Sequence, residues 1–119
     1  MRKAGLAVQL ETATDGDQAI AALKDRSPVD LPDCILLDLK LPCSSGLEVL
    51  AWIRSQPHLK RLPVIMLSSS LLSNDINQAY ELGANSYLLK PADLGSLITL
   101  TKTIDLYWLK TNVRPPFSM

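Results

Sequence analysis

The chain has 119 residues, 47% of them hydrophobic and 20% charged, a composition that suits one soluble globular domain with room for a single core. Twelve basic and twelve acidic residues cancel to a formal charge of zero, which argues against nucleic acid or an anionic membrane as a partner. No apolar run reaches the length of a membrane span, and the start "MRKAGLAVQLET" turns polar too early for a signal peptide, so a cytoplasmic location is expected.

In chain order, "LAVQLETATDG" alternates loosely between apolar and polar residues and ends in a turn signal, which predicts a strand over residues 8–13. "DGDQAIAALKDRSP" predicts a helix, with Asp15 and Gln18 spaced as a capping box and Pro28 beyond its end. "DCILLDL" is a short continuous apolar run and predicts a strand over residues 34–38 buried on both faces, as parallel sheets require. Ser45 and Glu48 form a second capping box that opens the helix "GLEVLAWIRSQ". "RLPVIMLSSS" predicts a third buried strand over residues 64–68, and "NDINQAYELGAN" a helix closed by Gly83 in a left-handed cap. "SYLLKP" is a fourth strand, stopped by Pro91. The last helix runs from a cap at Asp93 to about Leu109, with Leu94, Leu97, Ile98, Thr101, Ile104 and Trp108 on one core stripe.

Four alternations of strand and helix imply an α/β domain, a parallel sheet covered by helices on both faces. In open sheets of this class ligands bind beyond the carboxyl ends of the strands. Asp38, Ser68 and Lys90 each close a strand there, so a carboxylate, a hydroxyl and an ammonium converge on one sheet edge. A lone Asp in an apolar strand costs free energy unless paired or placed where the strand surfaces, and this edge is such a place. No histidine or second base stands near to activate the serine for hydrolysis. A phosphoryl site fits better: the carboxylate accepts the group as an aspartyl phosphate, and the lysine and hydroxyl bind its oxygens. The cysteines, Cys34 and Cys43, read as reduced thiols, His58 as a loop residue without chemical role, and Trp52 as core.

Through "LLDLKLPCSSGLEVL", "LPVIMLSSS" and "GANSYLLKP" the chain resembles the receiver domain of two-component response regulators, from about Leu6 to the end of the last helix. The resemblance implies a flavodoxin-like fold in which a sensor histidine kinase phosphorylates Asp38. It implies that Ser68 binds the phosphoryl group, that Tyr87 is the switch aromatic, that Lys90 is the family's lysine, and that the Lys90 to Pro91 bond is cis. Mg²⁺ is expected on Asp38 and the backbone carbonyl of Lys40, and Pro42 and Gly46 match the following loop. "TIDLYWLKTNVRPP" and "RSQPHLKRLPVIML" resemble single-domain regulators paired with bacterial phytochromes, which implies a phytochrome-type kinase, red-light signalling and a cytoplasmic homodimer formed through the last helix and the C-terminal tail.

Against this pattern, residues 1–119 read as a single, incomplete receiver domain, because the family's first strand, most of its first helix and the Mg²⁺-binding acidic pair have no counterpart. In the sheet order 2-1-3-4-5 the absent strand is central, so its neighbours expose an apolar edge. A fragment or misplaced start, a naturally shortened receiver and a degenerate form all stay open. Asp15 is read as a helix cap rather than a replacement ligand. Two rival functions remain: a phosphorylation-independent dimerisation or interaction module, and a phosphatase of the haloacid dehalogenase type, whose second Asp would stand where Lys40 is.

Overall fold

The computed structural model describes residues 15–27, 31–40 and 45–113. The expected strand over residues 8–13, and the roles assigned to Pro28, Pro42, Cys43 and the last residues of the tail, lie outside the described residues. Helix α1 spans Gly16–Lys24, strand β1 Ile35–Asp38, α2 Gly46–Ser55, β2 Val64–Ser68, α3 Ser73–Glu81, β3 Ser86–Leu89 and α4 Leu94–Ile104. The last helix continues as a π-helical segment, Asp105–Thr111.

The helix starts follow the capping residues. Asp15 accepts from Gln18 N at 2.8 Å, and Asp93 from Ser96 N at 2.9 Å. Ser45 and Glu48 close both halves of their box, at 3.2 Å from Glu48 N to Ser45 Oγ and 2.9 Å from Ser45 N to Glu48 Oε1. Past α3, Gly83 adopts φ +106, the left-handed conformation that only glycine takes cheaply.

The strands form one parallel sheet in the order β1-β2-β3, with Leu37 beside Met66 and Met66 beside Tyr87. This matches the last three positions of the expected flavodoxin-like order. One face of the sheet, carrying Ile35, Leu37, Val64, Met66 and Tyr87, packs with Leu23 of α1, Val49, Leu50 and Ile53 of α2, and Ala79 of α3 into the core. Burial of such side chains supplies about 1.5–3 kcal/mol each.

Three expectations are corrected. Strand β1 is not buried on both faces: Leu36 is 49% exposed, because β1 pairs with β2 alone among the described residues. The stripe on α4 is not core. Leu94 is 71% exposed, Ile98 49% and Leu97 39%, no residue of α4 is fully buried, and Ile104 and Trp108 are only half-buried. Periodicity identified the apolar face correctly, but no described element covers it. The Lys90 to Pro91 bond is trans, the isomer favoured by about 0.5–1 kcal/mol in X-Pro bonds, and Lys90 reaches the sheet edge from it.

Arg54 ties the lower end of the sheet together. Its guanidinium donates to Gly83 O at 2.7 and 2.9 Å, to Leu62 O at 2.7 Å, to Lys60 O at 3.1 Å and to Asn85 Oδ1 at 2.8 Å. Asn85 Oδ1 also accepts from Val64 N at 2.8 Å, at the start of β2. Burial lowers the Arg54 pKa from its ordinary value, yet the fork of donors still meets carbonyls only a planar cation can join at once. Among the described residues no helix is long and apolar enough to cross a membrane.

Candidate functional site

The three strands deliver Asp38, Ser68 and Lys90 to one edge of the sheet. Asp38 is the last residue of β1 and Ser68 the last of β2, while Lys90 follows β3, its N–H donating to Ser68 O at 2.7 Å. Lys90 Nζ lies 3.1 Å from Asp38 Oδ2, with both side chains partly in solvent. Ser68 is only 3% exposed, and its Oγ accepts from Ser70 N at 3.0 Å. A hydroxyl that already accepts a hydrogen bond keeps its proton to donate.

The approach of α2 to this edge depends on Gly46. Its N–H donates to Leu39 O at 2.9 Å, and a Cβ placed on it would stand 2.1 Å from the carbonyl oxygen of Asp38. Any other residue at this position would push the first turn of α2 away from the end of β1, and the carboxylate with it.

Tyr87 is half-buried against the core, and its hydroxyl donates to Ser70 O at 2.8 Å, in the loop after β2. Ser70 was not among the sequence candidates. Its Oγ donates to Asp75 Oδ2 at 2.6 Å and accepts from Leu72 N at 3.2 Å. The available signal was the run of three serines, of which spacing selects Ser68 and leaves the others unassigned. Arg54 was missed as well. Its signal was a lone cation beside Ile53 in the last turn of a largely apolar helix.

As for a metal, Asp38 and the carbonyl of Lys40 are hard oxygen donors of the kind Mg²⁺ takes. Asp38 Oδ1 has only a long contact, 3.4 Å from Lys40 N, among the described residues. No three His, Cys, Asp or Glu side chains among the described residues come together as a ligand group. These two donors fit Mg²⁺, which binds through one or two carboxylates together with waters and phosphate oxygens.

The model of the response regulator receiver domain matches residues 1–102. Response regulator Rcp1 of Synechocystis sp. is 40% identical over 104 residues, covering 85% of this chain and 71% of that protein. The structure of the phosphorylated cyanobacterial phytochrome response regulator RcpA is 40% identical with a TM-score of 0.87, over 96% of this chain and 84% of that one. The Mn²⁺-bound form of Rcp1 is 40% identical with a TM-score of 0.76, over 86% of this chain and 76% of that one, so divalent metal binding occurs in this group. Parallel strands in the expected order, three functional groups at their carboxyl ends and a family match over most of the sequence agree, and the chain belongs to the response regulator receiver domains, the signalling modules of phosphorelays.

Proposed function

We propose that Asp38 accepts a phosphoryl group from the phosphohistidine of a sensor histidine kinase of the phytochrome type, and that the whole of residues 1–119 acts as one receiver domain. The observation that carries this reading is the 3.1 Å pair between Lys90 Nζ and Asp38 Oδ2 at the open end of the sheet, with buried Ser68 closing the neighbouring strand. In the transfer, an Asp38 oxygen attacks phosphorus, the new P–O bond forms as the P–N bond to imidazole breaks, and the histidine nitrogen leaves with the electron pair. Attack by water on the aspartyl phosphate later releases inorganic phosphate and restores the carboxylate.

The residues around Asp38 supply what this chemistry needs. Lys90 moves its ammonium from the carboxylate to a phosphoryl oxygen, and the Ser68 proton donates to another. When bound, Mg²⁺ held by Asp38 and the Lys40 carbonyl neutralises part of the phosphoryl charge. Tyr87, whose hydroxyl already donates to Ser70 O beside Ser68, follows into the space that Ser68 vacates as it is drawn toward the phosphoryl group. The kinase type rests on the likeness to RcpA, a phytochrome response regulator, and on the C-terminal sequence. The exposed Leu94, Leu97, Ile98 and Leu106 support a homodimer through the last helix and tail, and a cytoplasmic location is part of the same reading.

Incubation with acetyl phosphate and Mg²⁺, read by intact mass, tests the assignment. One phosphoryl adduct on the wild type, lost in Asp38→Asn, is the expected result. A soluble, folded chain that takes no adduct would instead be a phosphorylation-independent interaction module.

A further inference from the structure

The loop between β2 and α3 sits beside the phosphoryl-accepting edge, and little apolar burial holds it there: Leu71 and Leu72 are 66% and 68% exposed. Helix α3 also starts without a side-chain cap, since Leu72 is its N-cap residue. The loop's position therefore rests on polar ties, and these meet at one residue. Ser70 donates its N–H to Ser68 Oγ at 3.0 Å, receives the Tyr87 hydroxyl on its carbonyl at 2.8 Å, and donates its own hydroxyl to Asp75 Oδ2 at 2.6 Å. The last of these is short and charge-assisted, the strongest kind of side-chain hydrogen bond.

We infer that Asp75, acting through Ser70, is a positioning residue for phosphorylation: it anchors the loop to α3 so that Ser70 N–H orients the Ser68 hydroxyl while Ser70 C=O holds Tyr87 inward. The geometry gives one tie two outputs. By accepting from Ser70 N–H, Ser68 Oγ keeps its proton available to donate to a phosphoryl oxygen. By receiving Tyr87, the same peptide sets the resting position of the aromatic ring before any phosphate arrives. Loss of the Asp75 anchor loosens both, because the exposed Leu71 and Leu72 supply no apolar burial to return the loop to its place. The effect on phosphorylation rests on the assignment of Asp38 above, whereas the effect on Tyr87 does not.

The test compares the wild type with Ser70→Ala, Asp75→Ala, Asp75→Asn, Ser70→Thr and the double alanine variant, all in the full chain and checked for folding by circular dichroism. Two quantities are read: the rate of adduct formation with acetyl phosphate and Mg²⁺, and the ¹⁹F resonance of fluorotyrosine at position 87, assigned with Tyr80→Phe and Tyr107→Phe. The expected result is about tenfold slower phosphorylation in each alanine variant, the scale of one charge-assisted hydrogen bond, with the Tyr87 resonance moved toward its solvent-exposed value. The double variant should be no worse than either single one, as for two ends of one contact. Ser70→Thr and Asp75→Asn keep a donor and an acceptor and should largely restore both readouts. An unmoved Tyr87 resonance in folded Asp75→Ala, or additive losses in the double variant, would overturn the inference. If the wild type takes no phosphoryl group, the assignment of Asp38 fails on its own, and the Tyr87 resonance still decides whether Asp75 positions the loop.

Discussion

Replacing Gly46 by alanine sets two effects of opposite sign against each other at the site's edge. Gly46 is the first residue of α2, and alanine is the better helix former by up to about 1 kcal/mol, less at a helix end than in its interior. Against this gain, the new Cβ would stand 2.1 Å from Asp38 O and 2.9 Å from both Asp38 C and the Cα of Leu39. Ordinary contact begins near 3.4 Å, so α2 must retreat by more than an ångström from a strand end that is itself fixed by Leu39 N donating to Leu67 O at 3.1 Å. The atoms met are backbone, and no side chain can swing aside to relieve them. Overpacking of this kind costs about 1–3 kcal/mol even where side chains share the strain, so a net loss of about 2 kcal/mol or more is expected. The retreat also breaks the bond from Gly46 N to Leu39 O and displaces Asp38, so phosphorylation should slow together with the loss of stability. Urea denaturation followed by circular dichroism gives the first quantity, and the acetyl phosphate assay the second. An unchanged or raised midpoint in Gly46→Ala would refute the reasoning, since helix propensity would then outweigh the contact with Asp38.

Three further outcomes are expected. Arg54→Met should cost about 2–4 kcal/mol by denaturant titration, because it strips donors from Gly83 O, Leu62 O and Asn85 Oδ1 together, and Arg54→Lys should recover only part of that loss. Phosphorylation of the still-folded protein should be unaffected, as Arg54 lies at the opposite end of the strands. Burial, assisted by neighbouring Asp33, pushes the Cys34 thiol up from 9.0 to about 11. In a Cys43→Ser background at pH 8, alkylation should therefore run about tenfold slower than in urea, a roughly hundredfold smaller thiolate fraction being partly offset by greater nucleophilicity. Because its folded pKa is raised, the thiol's contribution to stability is complete below pH 9 and is lost as pH climbs through 11. For Asp93, hydrogen bonding from Ser96 lowers the pKa below its ordinary value of 3.8, so its capping contribution is present above that value and lost as pH falls through the depressed one. Asp93→Asn should flatten this acid limb in a plot of unfolding midpoint against pH, and an unchanged limb would remove the cap from the account.

What could be read from the residues was whatever depended on neighbours in sequence. The box at Ser45 and Glu48, the cap at Asp93 and the turn at Gly83 each involve groups within a few positions, and each appears in the fold as expected. The convergence of Asp38 and Lys90 was also legible, although 52 positions separate them, because parallel strands bring their carboxyl ends to one edge whatever the loops do. Ser70 and Arg54 obeyed no such rule. Ser70 joins a backbone N–H to a hydroxyl two residues back, a carboxylate five residues on and a phenol 17 residues on, and no periodicity relates those intervals. Arg54 reaches carbonyls that face it only once β2 and β3 are side by side.

The stripe on the last helix marks a different boundary. A period of 3.6 identifies which side of a helix is apolar, and it says nothing about what lies opposite. On α2 the same period found a sheet, and Val49, Leu50 and Ile53 are completely buried there. On α4 Leu94, Leu97 and Ile98 face outward, and on β1, which pairs with β2 alone among the described residues, Leu36 does so too. The ion pair at Asp38 is built instead from the last residue of β1 and the residue that follows β3. The proposed phosphoryl acceptance and the covering of the apolar surface are thus separable requirements, one set by strand ends and the other by what lies opposite the apolar stripe of α4. A substitution such as Leu97→Lys should accordingly leave the approach of Lys90 to Asp38 intact while altering self-association, the combination that distinguishes a surface for assembly from a part of the site.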